Sequence, residues 1–257
     1  MQWNRLEKWS PYTMKIDDYT RFIGLQCRRF AFEPDNMFAF AFSKVSHYWR
    51  FLEIIYERYQ LASHTYMENT TSLRETIKPG THMLTEEQDR LSDEAVPLQA
   101  KLHLEIESYY LFAKILLDVT AHAIEYYFGP ARGLSLDSHD DLSKSFSKYV
   151  AVKSLDNNDA LCKKITELKS LIADFRDYQI AHEKSPRTTK GTIYNIEGNA
   201  RLATGRLFPR ASDNPSSSSD LTHLRTEIEG YVELVTTFIE ANQDKTALEL
   251  AEQSGAA

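Results

Sequence analysis

Residues 98–128, LQAKLHLEIESYYLFAKILLDVTAHAIEYYF, decide the fold class of this chain. Ile106, Tyr109, Ala113, Leu116, Thr120, Ile124 and Tyr127 recur three and four apart, the spacing that lines one face of an α-helix. Gly129-Pro130 then stops the pattern, because glycine accepts a left-handed closing turn and proline cannot continue a helix. A strand reading would require alternation with period two, which is absent here.

Upstream, Phe38, Phe42, Val45, Trp49, Leu52, Ile55 and Tyr59 mark a second long helix over about 36–73, with Asp35 or Asn36 able to cap its start. Its aromatic stripe reads as core or dimer contact, not as a platform for stacked bases. Lys78-Pro79-Gly80 breaks the chain, and Thr85 to Glu94 reads as a short exposed helix that ends before Pro97. The first thirty residues carry many aromatics without a clean period, so no element is assigned there.

Downstream, Ser138 is an N-cap with Asp141 three residues on, opening a helix to about Val152. Asn157 or Asn158 caps the next, whose stripe is Leu161, Ile165, Leu168, Ile172, Phe175 and Gln179 and whose end is Ser185-Pro186. Thr192-Ile193-Tyr194 and Arg201 to Phe208 can pair as a hairpin around Glu197-Gly198-Asn199. A final helix carries Leu221, Leu224, Ile228, Tyr231, Val235 and Phe238 to about Asn242, and the Ala/Glu-rich end from Asp244 reads as a fraying helix or disordered tail. The expectation is an all-α bundle with a small β-hairpin inserted before the last helix. Residues 1–97 form an N-terminal helical extension, able to pack in the same domain, 98–243 the bundle, and 244–257 a tail.

Composition narrows the function. With 257 residues, 42% of them hydrophobic and only 9 Gly and 8 Pro, the chain can bury a sizeable core. A formal charge of -7 and a pI near 5.7 argue against a surface that binds nucleic acid over its whole extent. Cys27 and Cys162 stand far apart with no CxxC or Cys/His spacing, which supports neither a disulfide framework nor a structural zinc. The N-terminus lacks the basic start and apolar run of a secretory signal, and no apolar stretch reaches the roughly 20 residues of a membrane span. A soluble, cytoplasmic protein without membrane contact is expected. No phosphate loop, GxGxxG, HExxH or GxSxG is present, so the chemistries tied to those motifs lack support.

The candidate site is Asp174-Phe175-Arg176-Asp177-Tyr178-Gln179-Ile180-Ala181-His182-Glu183-Lys184. A guanidinium can hold a phosphate through its planar fork of donors, and an imidazole that titrates near neutrality can move a proton. On an ideal helix Arg176 and His182 lie about 120° apart, so both can flank a cleft. From Lys184 to Arg210 the chain holds Lys184, Arg187, Lys190, Arg201, Arg206 and Arg210 against one acid, Glu197, a local basic segment suited to a phosphate backbone. Tyr194 and Phe208 could stack bases there.

Other clusters read as structural. Asp137-Ser138-His139-Asp140-Asp141 has oxygen and imidazole ligands for a cation, yet Ser and Asp are also the residues a helix start selects. Asp118 and His122 are an i, i+4 pair without a third ligand at fixed spacing. Glu105 and Glu107 favour a helix start, and either could orient Arg176. No metal and no cofactor are expected.

The combination of Arg176, Asp177 and His182 near the end of a bundle helix resembles the motif of the HEPN superfamily: an Arg, a polar residue, a few variable positions and a His. The aromatic helix through Tyr109-Tyr110-Leu111-Phe112-Ala113-Lys114 and the Ser138-His139 start are similar to helices that precede the motif in such proteins. The resemblance covers about Leu98 to Asn242. It implies a helical bundle that forms a homodimer with two Arg/His pairs at one cleft, and many members are metal-independent endoribonucleases of toxin–antitoxin or phage-defence systems. Carried over, His182 assists proton transfer as the ribose 2′-OH attacks phosphorus, Arg176 binds the phosphate, and Asp177 orients one of them or contacts the partner subunit. Lys184, Arg187, Lys190, Arg201 and Arg206 would bind the RNA, and an antitoxin or regulatory protein is a possible partner. Some toxin members carry a modified Tyr two residues after the His; Lys184 stands there, so that route of regulation is not expected. The alternative is a catalytically silent module that binds a nucleotide or protein.

Overall fold

The computed structural model describes residues 15–30, 37–76, 83–173, 192–196, 200–204 and 221–251. Within them are six α-helices: α1 Ile16–Cys27, α2 Met37–Thr76, α3 Glu86–Phe128, α4 His139–Val152, α5 Asp159–Leu168 and α6 Leu221–Ala241. The protein is mostly helical. Thr192–Ile196 (β1) also pairs antiparallel with Ala200–Thr204 (β2), with Tyr194 opposite Leu202.

The apolar period decides which faces turn inward. Phe38, Phe42, Val45, Trp49, Leu52, Ile55 and Tyr59 of α2 are all buried, as are Ile106, Tyr109, Ala113, Leu116, Ile124 and Tyr127 of α3. The two helices run antiparallel side by side. Phe38 meets Tyr127 with ring centroids 4.9 Å apart, Phe51 meets Phe112 at 5.6 Å, and Tyr56 meets Tyr109 at 6.4 Å. Arg58 donates to Glu105 at 2.6 Å, and the amide of Gln88 donates to the Thr76 carbonyl at 2.8 Å. Position along α2 therefore rises as position along α3 falls, as a helical hairpin requires. Tyr19 and Phe22 of α1, Phe146 and Tyr149 of α4, Leu161 and Ile165 of α5, and Tyr231 and Phe238 of α6 join the same continuous core.

The expected break before Pro97 does not occur: α3 is one helix of 43 residues with Pro97 inside it. A proline in a helix interior removes one hydrogen bond and crowds the carbonyl four residues back, a penalty of about 3 kcal/mol. Both Pro97 and Asp93, whose carbonyl loses its partner, lie on the exposed side of α3, where water can serve that carbonyl. Packing on both sides of the proline, from Leu91 to Leu102 and Ile106, holds the axis. The helix starts with a full capping box, Thr85 accepting from the Gln88 backbone N–H while the Gln88 side chain accepts from that of Thr85.

The segment after α6 also departs from expectation, since Gln243 to Ala251 is tied to the bundle. The Tyr127 carbonyl accepts from the Ala247 N–H at 2.9 Å and from the Thr246 hydroxyl at 2.7 Å. Ala251 N–H donates to the Arg29 carbonyl at 2.9 Å, and Phe30 pairs with Leu250 as an isolated bridge. Buried Asn242 accepts from Asp156 N–H at 2.6 Å and donates to the Phe238 carbonyl at 3.0 Å. Backbone pairing of this kind leaves no apolar period to read.

Gly129 links these features. It closes α3 at φ 79°, its carbonyl accepts from the Tyr149 hydroxyl at 2.6 Å, and a Cβ there would lie 2.8 Å from the Ala247 Cβ. Gly133 has a similar φ of 75° but open space around it. Gly129→Ala is therefore expected to lower stability by about 2–4 kcal/mol, and Gly133→Ala by about 1 kcal/mol, the backbone part alone. Urea denaturation of both variants measures the difference; equal losses would show that the Ala247 contact gives way freely.

Candidate functional site

Arg176, Asp177 and His182, with Lys184, Arg187, Lys190 and Arg206, lie outside the described residues, as do Phe175 and Gln179 of the expected stripe. Arg201 falls in β2, in register with Asn195 of β1. What the structure describes is the base from which the Arg/His stretch departs.

That base is α5 and the turn after it. Asn158 caps α5 by accepting from the Leu161 N–H at 3.0 Å, and Leu161, Ile165, Leu168 and Ile172 are fully buried. From Lys169 to Ala173 the helix widens into a π-turn. Such a turn takes one residue more than an α-turn, so the α-helical period of Leu161, Ile165 and Leu168 cannot be extrapolated past Ala173. Lys169 reaches across to Asp140 on α4 at 2.5 Å, and Lys164 pairs with Glu227 on α6. The end of α5 is thus held from two sides.

Around the start of α4 the structure joins two clusters that are separate in sequence. Ser138 caps α4 by accepting from the Asp141 N–H at 3.1 Å, and its hydroxyl donates to the Asp141 carboxylate at 2.6 Å. Asp118 of α3 accepts from the His139 N–H at 2.8 Å and pairs with Lys114 one turn back. His122 sits 2.5 Å from the Asp137 carbonyl through its Nε2. Asp118 therefore acts as a second, tertiary cap on α4, which places negative charge at the positive end of that helix. Among the described residues no group of three His, Cys, Asp or Glu side chains is arranged to hold a metal.

Lys114 and Tyr231 are members of this cluster that a reading of local spacing passes over. Lys114 interrupts the apolar run from Tyr109 to Leu117 and is itself nearly buried; a cation inside an otherwise apolar run is the signal that could have found it. Tyr231 looks like one more core aromatic in the α6 stripe. Its ring meets that of His139 edge-on, with centroids 5.7 Å apart. Neither the His139 Nε2 nor the Tyr231 hydroxyl has a hydrogen-bond partner among the described residues. Burial, reinforced by the charges of Lys114 and Lys169, pulls the His139 imidazole down to about 3. Burial also pushes the Tyr231 hydroxyl far up. His139 is thus a neutral core histidine over the ordinary pH range. Hydrogen bonds from Lys144 and Lys169 hold the Asp140 carboxyl down at about 2.

Of the two acids weighed as partners for Arg176, Glu105 is buried and accepts from Arg58. A second network joins α6 to α2. Arg225 grips Glu53 through two bonds of 2.9 and 2.6 Å, and it also lies 3.2 Å from Glu229. The guanidinium stacks 5.0 Å over the Tyr56 ring, whose hydroxyl shares a 2.8 Å hydrogen bond with Thr222. This bidentate pair fixes the first turn of α6.

No family model matches this chain, and no curated protein or solved structure matches it. Its function must be read from its own residues. Among the described residues no helix is long and apolar enough to cross a membrane.

The position of His139 sets a pH dependence. Its folded value near 3 lies below the ordinary 6.5, so between those limits the unfolded chain binds more protons and stability falls as pH falls. From pH 7 to pH 5 the wild type should lose about 2 kcal/mol more than His139→Phe. Asp140 contributes its own loss only below about pH 4, since its carboxyl is depressed from 3.8. Denaturant midpoints of both proteins at the two pH values measure the difference, and parallel losses would show that His139 titrates normally.

Proposed function

We propose that this protein is a metal-independent endoribonuclease of defence or toxin type, acting as a homodimer with Arg176 and His182 at the reaction centre. The observation that carries the reading is the place of the motif in the sequence. Arg176 comes three residues after Ala173, and the described stretch before it is buried at Leu161, Ile165, Leu168 and Ile172 and held by Lys164–Glu227 and Lys169–Asp140. A catalytic pair needs such a base, because a displacement of about 1 Å can reduce a rate about a hundredfold. The order of long aromatic helix, Ser-capped helix, a third helix followed in sequence by the motif, and final helix supports the HEPN resemblance.

In the proposed reaction the 2′-OH of a ribose attacks the adjacent phosphorus. His182 assists the proton transfer, the bond to the 5′ oxygen of the next nucleotide breaks, and a 2′,3′-cyclic phosphate remains. Arg176 neutralises the charge that builds on the phosphate oxygens, and Asp177 orients the pair. Lys184, Arg187, Lys190, Arg201 and Arg206 supply the local positive field that draws RNA to an otherwise acidic protein. An antitoxin or other regulatory protein fits such a role.

The second reading is a silent module that binds a nucleotide or a protein partner, favoured by the overall charge of -7. The two separate in one experiment, incubation of the purified chain with single-stranded and structured RNA in chelator. Wild type is expected to cut, and Arg176→Ala and His182→Ala to lose about 100-fold or more of the rate while melting like wild type. Undiminished cleavage by both variants, or wild-type cleavage abolished by chelator, would reject the proposed mechanism. A wild type that binds RNA or nucleotide without cutting would favour the silent module.

A further inference from the structure

Several buried polar groups of this core are answered by a neighbour: Glu105 by Arg58, Asn242 by Asp156, and the Tyr149 hydroxyl by the Gly129 carbonyl. Among the described residues, four buried side-chain atoms are not, namely Ser63 Oγ and Asn69 Oδ1 on α2, His139 Nε2 on α4 and the Tyr231 hydroxyl on α6. The last two belong to rings in edge contact, 5.7 Å between centroids and 86° between planes. His139 is 1% exposed and Tyr231 0%, so bulk solvent reaches neither. Their surroundings are polar as well. Burial, then the Lys114 and Lys169 charges, pulls the imidazole down, and burial, then the Asp118 carboxylate, pushes the Tyr231 hydroxyl up. Burial, then Tyr231, does the same to the Tyr19 hydroxyl of α1. Lys114 and Asp118 are themselves an ion pair, and Asp118 accepts from the His139 backbone N–H. Side chains from α1, α3, α4 and α6 thus bring two unanswered hydrogen-bonding atoms and an ion pair together inside an apolar core.

We infer that His139 Nε2 and the Tyr231 hydroxyl are joined by internal water, one molecule or a chain of two, held beneath the first turn of α4. A buried polar atom without a partner forfeits the hydrogen bond it makes to water in the unfolded chain, and folded proteins satisfy such atoms through protein groups or ordered water. The two atoms do not bond to each other, so a third group between them is required. Water settles inside a protein where two to four polar groups converge. Each of its bonds spans about 2.7–3.2 Å, so one molecule bridges atoms up to about 6 Å apart, the scale on which these two rings meet. Charge selects a neutral ligand: an anion would lie beside the Asp118 carboxylate, and a cation beside the Lys114 ammonium. Nε2 of a neutral imidazole donates or accepts according to tautomer, and a phenol does both. Water also does both, so it fits either tautomer. Such water ties α6 to the start of α4, the turn whose Asp140 holds Lys169. The inference stands apart from the nuclease reading, since neither ring belongs to the Arg/His stretch.

A high-resolution crystal structure of the full chain tests it. Ordered water within about 3.2 Å of both atoms, or a chain of two waters ending at them, is the expected result. Density that shows the two atoms bonded to another side chain, or no water within that distance, would overturn the inference. In solution, urea midpoints of His139→Phe, Tyr231→Phe and the double variant form a thermodynamic cycle. Both substitutions keep a ring in place and remove its polar atom. Each single change strands the group that remains, so the double variant should lose less than the sum of the two single losses. Losses that simply add would show that the two groups share no ligand and would overturn the inference as well. The wild-type density decides the question even where His139→Phe fails to fold.

Discussion

The side-by-side packing of α2 and α3 is the constraint on which the other helices depend. Each is too long and too aromatic on one face to be stable alone in water, and pairing gives both faces a partner. Rings interlock from Phe38–Tyr127 at one end to Tyr56–Tyr109 further along. The buried Glu105 is tolerable because Arg58 answers it. The capping box and the Gln88 bond to Thr76 close the connecting end. Three of the remaining helices dock onto this pair through at least one specific contact: α1 through Tyr19 on Trp49, α6 through Arg225 on Glu53, and α4 through the Asp118 cap.

α5 and the turn after it are held through that order of attachment. α5 touches α4 and α6, which in turn are fixed to the hairpin by charged or capping contacts instead of apolar area alone. Lys169 and Lys144 share Asp140, so the π-turn that leads to the Arg/His stretch is pinned to the first turn of α4. Charges placed in this way define direction better than apolar packing does.

How much of this was legible in sequence follows from the kind of force involved. The faces of α2, α3 and α6 could be read because burial selects apolar residues at the helical period, and those stripes are buried residue for residue. Pro97 could not be read correctly, because its local penalty is outweighed by packing that lies elsewhere in the chain. The attachment of Gln243 to Ala251 was hidden because backbone pairing leaves no side-chain pattern. The π-turn has no composition of its own. In the site, Asp118 and His139 were visible as polar residues, whereas the union with Tyr231 was not, since that ring meets His139 from a distant helix of the sequence. Arg176, Asp177 and His182 were legible only as a motif and lie outside the described residues.

Native-state hydrogen exchange tests the primacy of the hairpin most directly. If α2 and α3 are the frame, the buried amides of Phe38 to Tyr66 and of Leu102 to Phe128 should exchange only through global unfolding, with opening energies equal to the stability from denaturation and slowest of all helices. Amides of α1, α4, α5 and α6 should open at that energy or below it. Should α4 to α6 stay protected while α2 or α3 exchanges through a cheaper opening, the hairpin is a decoration on another core and cannot be the frame of the fold.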